Sequence, residues 1–132
     1  VSLKISDLND TQLVRGDTIR IMCRNLKDMD GVDYDMSAAG VWYCTVKSDL
    51  TTVDASAEIH LTSTANASQF DLTNVATGQL KVTLSPANSA ALTAGTNYYL
   101  QVKKIFTSGD VLSVVFEPEF RVYERVVITA PV

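Results

Sequence analysis

The sequence predicts an all-β protein, an antiparallel β-sandwich of about seven to nine strands, and three observations point there. Between residues 75 and 122, apolar side chains recur at every second position through three successive segments. Leu80, Val82 and Leu84 alternate with Lys81, Thr83 and Ser85, and Tyr98, Leu100, Val102 and Phe106 alternate with Tyr99, Gln101 and Lys103. Leu112, Val114, Phe116, Phe120 and Val122 complete the series against Ser113, Glu117, Glu119 and Arg121. Neighbouring side chains on a strand point to opposite faces, so a period of two means one buried and one wetted side. Second, short apolar runs separated by turn signals fill the rest of the chain and leave little room for helix, which favours a sandwich over a parallel sheet. Third, 132 residues form one domain, long enough to bury roughly two-thirds of the unfolded surface around a single core.

The elements follow in order. Leu3-Lys4-Ile5 reads as a first strand. Arg15-Gly16-Asp17 turns the chain into a strand over residues 18–24, where Ile19, Ile21 and Cys23 alternate with Arg20, Met22 and Arg24. Residues 27–36 hold Asp28, Asp30-Gly31, Asp33 and Asp35, the composition of a turn and loop. Residues 41–47 are the next strand, with Trp42, Cys44 and Val46 inward. After a polar link over residues 48–56, Ile59 and Leu61 face one way while Glu58 and His60 face the other. Phe70 and Leu72 begin a short strand. Pro86 suits a first helical position and Ser85 can cap it, so residues 86–92 read as one helical turn. Thr107-Ser108-Gly109-Asp110 closes a hairpin between the two longest strands.

The segment Leu92-Thr93-Ala94-Gly95-Thr96-Asn97-Tyr98 resembles the corner before the sixth strand of an immunoglobulin-like sandwich, where a tyrosine locks the turn. The expected fold is therefore an immunoglobulin-like sandwich over residues 1–125. Residues 126–132, Val126-Val127-Ile128-Thr129-Ala130-Pro131-Val132, are apolar on both faces. Such a tail reads either as an edge strand of the domain or as an arm donated to a neighbour.

Bulk composition narrows the function. The formal charge is −4, from 11 basic and 15 acidic residues, and Lys103-Lys104 is the one adjacent basic pair, so a phosphate-backbone ligand is not expected. No apolar run approaches the roughly 18–20 residues of a membrane helix, and the first residues do not read as a secretory signal. The two cysteines, Cys23 and Cys44, form neither a metal set nor a disulfide framework. Both share the inward parity of their strands, and they read as free buried thiols rather than as a bridge.

Candidate chemistry is sparse. The single histidine, His60, lies on the polar parity of its strand with no second imidazole beside it, so no Ser–His or Cys–His pair forms without it and no enzyme is expected. Asp28, Asp30, Asp33 and Asp35 offer hard oxygen ligands but reproduce only a fragment of a calcium loop; acidic residues also favour turns, and neither metal nor cofactor is expected. Arg15-Gly16-Asp17 spells an adhesion tripeptide but sits where a tight turn must feed a strand. Asn9-Asp10-Thr11 and Asn66-Ala67-Ser68 match the glycosylation pattern, a match frequent by chance. Tyr99 and Tyr123 fall on the polar parity and are the candidates for a glycan-binding face.

In order along the chain, several segments resemble small immunoglobulin-like virion proteins of tailed bacteriophages, among them the N-terminal domain of the baseplate upper protein. These are Arg15-Gly16-Asp17-Thr18; Asp30-Gly31; Asp35-Met36-Ser37-Ala38-Ala39-Gly40 opening Val41-Trp42-Tyr43; Gly78-Gln79-Leu80-Lys81-Val82; residues 92–102; Gly109-Asp110-Val111-Leu112-Ser113-Val114; and Phe120-Arg121-Val122. The resemblance spans about residues 12–124. It implies a non-enzymatic virion part assembled in the host bacterial cytoplasm and binding other virion proteins, with copies meeting by symmetry. Capsid decoration is the first expectation, a tail or baseplate adaptor the second, and a host-surface glycan binder the third. Val126, Val127 and Ile128 are the expected docking residues, joined by Asp33 and Asp35 of the acidic loop.

Overall fold

The computed structural model describes residues 12–23, 26–27 and 29–123, with residues 12, 13, 23 and 115–119 described by backbone alone. Eight strands, one short α-helix and three single turns of 3-10 helix are present among them, the strands and α-helix being β1 (Gln12–Val14), β2 (Ile19–Cys23), β3 (Gly40–Lys47), β4 (Ile59–Thr62), β5 (Phe70–Asp71), β6 (Leu80–Leu84), α1 (Pro86–Ala90), β7 (Asn97–Phe106) and β8 (Val111–Tyr123). They form a five-stranded sheet in the order β1-β8-β7-β3-β4 and a three-stranded sheet in the order β2-β6-β5. Every pairing is antiparallel except that of β1 with β8.

Period-two patterning places the core. Along β6 and most of β7, every second residue is buried. Ile21, Val82 and Leu84 from the smaller sheet meet Trp42, Cys44, Val46, Leu100 and Val102 from the larger one in a single apolar cluster. Fully burying each large aliphatic side chain contributes about 1.5–3 kcal/mol, so these inner faces dominate stability. Cys44 is a free thiol, and burial pushes its pKa up to about 12.

Local signals hold where the sequence expects them. Ser85 and Asn88 cap α1 reciprocally: the Asn88 N–H donates to Ser85 Oγ at 3.1 Å, and the Ser85 N–H donates to Asn88 Oδ1 at 2.9 Å. At the corner before β7 the Thr93 N–H donates to the Tyr98 hydroxyl at 2.8 Å, and Gly95 takes φ +83°. Tyr98 itself is buried, its ring 6.3 Å from that of Phe120. Arg15-Gly16-Asp17 is fastened to α1: Arg15 Nη2 donates to the Ala90 carbonyl at 2.7 Å and the Gly16 N–H donates to Ser89 Oγ at 2.9 Å.

Two expectations are revised, and a third falls outside what is described. Leu3-Lys4-Ile5 lies outside the described residues, and the first described strand is β1. Leu72 does not extend β5, which ends at Asp71 and leaves Leu72 exposed. The alternation also does not run unbroken through β8. Register shifts fall between the pairs Tyr98↔Phe120 and Leu100↔Glu117, and between Val102↔Val115 and Lys103↔Ser113. Each inserts an extra β8 residue, which bends and twists that strand locally.

Candidate functional site

β2, β3, β7 and β8 all terminate or begin at one end of the molecule, and the two connections there build its most featured surface. One is the β2–β3 loop. Its acidic tip is exposed, yet its shoulders are pegged by buried Leu26 and Met36. Backbone hydrogen bonds tie those pegs to the turn before β6: the Leu26 N–H donates to the Gly78 carbonyl at 3.2 Å and the Met36 N–H donates to the Val75 carbonyl at 3.0 Å. The Tyr34 N–H closes the loop on the Leu26 carbonyl at 2.9 Å. Gly78 is required where it stands, because its φ is +77° and a Cβ there would overlap the Leu26 carbonyl oxygen.

Lys104 fixes this loop from beneath. It occupies the inward parity of β7, opposite Trp42 on β3 and Leu112 on β8, and only 4% of it is exposed. Its ammonium donates to the Met36 carbonyl at 2.6 Å and to the Ala38 carbonyl, and lies 5.2 Å from the Trp42 ring centroid and 4.9 Å from that of Phe106. Burial lowers the pKa of Lys104, and the nearby Asp35 carboxylate partly opposes that shift. Carbonyl acceptors and ring faces are what a buried ammonium requires in place of water. Sequence reasoning missed this residue. Its even position between Val102 and Phe106 carried the signal, but a lysine beside another lysine reads as a solvated charge.

Of the expected site residues, the structure places Asp33 and Asp35 together on this loop. Asp33 pairs with Lys27, and both are exposed. The Asp35 carboxylate accepts from the Ser37 hydroxyl at 2.5 Å and the Ser37 N–H at 2.9 Å, which hold its pKa below the usual carboxylate value. Asp28 and the tail residues Val126, Val127 and Ile128 lie outside the described residues. Among the described residues, no three His, Cys, Asp or Glu side chains converge as a metal site.

The second connection is the β7–β8 turn. The Thr107 N–H donates to the Ala39 carbonyl at 2.9 Å, joining turn to loop. Between them runs a shallow groove of about 730 Å³, with Tyr34, Phe106, Val111 and Leu112 as its apolar lining and Asp35 and Asp110 as its charges. Met29, Val32 and Val111 are exposed large apolar residues at this same end.

No family model, curated protein or solved structure matches this chain.

The remaining candidates are dispersed. His60 is half-buried, its ring 6.0 Å from that of Tyr43, and its Nδ1 is buried without a hydrogen-bond partner. Asn66 is occupied by its own turn, its side-chain oxygen accepting from the Thr62 N–H at 3.1 Å. Tyr99 stands opposite Lys47 on β7, whereas Tyr123 lies two residues beyond the Arg121↔Asn97 pair. That separates the two tyrosines by about 13 Å along the strand direction, too far for one sugar ring to stack on both.

Proposed function

We propose that this chain is an immunoglobulin-like sandwich serving as a non-enzymatic structural subunit of a tailed-bacteriophage virion, decorating the capsid by binding other virion proteins. The observation that carries the fold is strand order. The orders β2-β6-β5 and β8-β7-β3-β4 run parallel to the B-E-D and G-F-C-C′ orders of variable-type immunoglobulin domains, which supports this reading. The Thr93–Tyr98 hydrogen bond at the entrance to β7 supports the same reading, being the contact of a tyrosine corner. One departure is that β1 lies beside β8 instead of joining β2.

The role rests on the ordered resemblance to phage virion proteins. Five of the seven resembling segments fall at turn-to-strand junctions: the turn into β2, residues 35–43 into β3, Gly78 into β6, the corner into β7 and Gly109 into β8. A loop end with exposed Met29, Val32 and Val111 beside acidic side chains supports a binding role, since exposed apolar side chains grouped on one surface and rimmed by polar ones mark interaction sites. The partner is the major capsid protein, with copies of this chain arranged by the symmetry of the shell.

Quantitative mass spectrometry of purified particles tests this. A copy number commensurate with the major capsid protein is expected. A small fixed number would move the subunit to the tail or baseplate as an adaptor, and absence from particles would overturn the virion reading.

A further inference from the structure

We propose that the groove between the β2–β3 loop and the β7–β8 turn receives an arginine side chain, with an apolar residue beside it, from a segment of a partner protein. This names what the loop end takes, and it rests on the proposed binding role but not on the place of the chain in a virion.

The groove is built before anything enters it. Its loop wall carries Tyr34 and Asp35, and its turn wall carries Phe106, Asp110, Val111 and Leu112. The Thr107 N–H donates to the Ala39 carbonyl and joins one wall to the other, while the Gly109 N–H closes the turn on the Phe106 carbonyl at 2.8 Å. A preformed site has little loop ordering to set against the gain on binding.

Charge selects a cation. Asp35 stands on one wall and Asp110 on the other. Both hydrogen bonds from Ser37 end on Asp35 Oδ1, which leaves Oδ2 to an incoming donor. Asp110 is exposed and holds the turn through its backbone, its carbonyl accepting from the Phe106 N–H at 2.9 Å. Lys104 is committed elsewhere. Its ammonium donates to the Met36 and Ala38 carbonyls, and its charge is the smallest of the causes that lower the Asp35 pKa.

The apolar lining selects the rest. Val111 is 60% exposed, and Tyr34 and Leu112 pack against the core without being fully covered. A bare metal ion or a small amine would leave that surface wet, and among the described residues no three His, Cys, Asp or Glu side chains converge to hold an ion. Arginine answers both features. Its stem lies along apolar surface, and its planar guanidinium offers a fork of donors to carboxylates on two sides and stacks on aromatic rings. An apolar neighbour on the same segment covers Val111.

Titration of the nitrogen-15-labelled full chain with the peptide acetyl-Ser-Leu-Arg-Val-Ser-amide at low ionic strength, read by amide chemical shifts, tests this. Saturable shifts are expected at residues 34–39 and 106–112. The same peptide with glutamine for arginine should bind about tenfold more weakly, having lost the charge-assisted hydrogen bonds. Asp110→Asn should weaken the arginine peptide several-fold, leave the glutamine peptide unchanged and leave the tyrosine corner unshifted. Equal binding of the two peptides, or no shift in the groove at about 10 mM peptide, would overturn the proposal. Groove shifts that follow protein concentration without peptide would overturn it in favour of a second copy of this chain. The titration contains no particle, so absence of the chain from virions would remove the virion role and leave this result standing.

Discussion

An ammonium taken out of water must find acceptors, and at Lys104 these are the Met36 and Ala38 carbonyls, on the segment that leads from the acidic loop into β3. The alkyl stem fills the space beside Trp42 and Phe106, so one residue both packs the core and ties down the loop. Replacing it separates the two roles. Lys104→Ala removes stem and donor, leaving a cavity and two carbonyls without their partner, and should lower unfolding free energy by about 2–3 kcal/mol. Lys104→Met keeps most of the volume and removes only the donor, with an expected loss of about 1 kcal/mol. Urea titrations followed by fluorescence of Trp42, the sole tryptophan and a buried one, measure both. Equal stability of wild type and Lys104→Ala would refute the tethering role.

At the scale of elements, the β3–β4 connection shows how a loop can hide sheet surface. Asp54 lies between two lysines of the outer face, 2.6 Å from Lys47 on β3 and 2.8 Å from Lys103 on β7. Lys47 also donates to the Thr52 carbonyl at 2.7 Å, and Thr45 is buried although its parity points outward. The hydrogen bonds from Lys103 and then Lys47 lower the Asp54 pKa from 3.8 to about 2. A depressed carboxylate stabilises the fold above its unfolded value and loses that contribution as pH falls through the folded value. Asp54→Asn should therefore cost about 1 kcal/mol at pH 7, the screened value for a partly exposed pair, and almost nothing at pH 2 or below. Denaturant titrations at the two pH values check this, and an equal cost at both would exclude the ion pairs as its source.

The same elements show what the sequence made legible. β6, β7, α1 and the tyrosine corner carry their signals locally, in a period of two, a Ser85-Pro86 cap and a glycine before an aromatic. The acidic stretch reads as a loop for the same reason. What escaped depends on distant partners. The loop is held by Gly78, Val75 and Lys104, β1 is three residues that take their meaning from β8, and the β8 register shifts have no signature in side-chain alternation.

For the whole molecule, the loop that carries Asp33 and Asp35 and the last described residue of β8, Tyr123, mark opposite ends. Asp33 and Asp35 stand on the β2–β3 loop, at the end where β8 begins, while Val126, Val127 and Ile128 follow from the end where β8 finishes. On the proposed role the two sets differ in chemistry, residues 126–128 being apolar and Asp33 and Asp35 charged. Apolar anchors buried at an interface centre carry most of the affinity, whereas exposed charges at a rim steer association and are screened by salt. Val127→Asp with Ile128→Asp should therefore abolish binding to particles lacking the native subunit, with the isolated chain unfolding at the wild-type denaturant midpoint. Asp33→Asn with Asp35→Asn should slow association a few-fold at low ionic strength and converge with wild type at high salt. Particle occupancy measured against variant concentration separates the cases. Full occupancy by the tail variant would remove residues 126–128 from the interface, and abolished binding by the loop variant at every salt concentration would make the acidic loop the anchoring end.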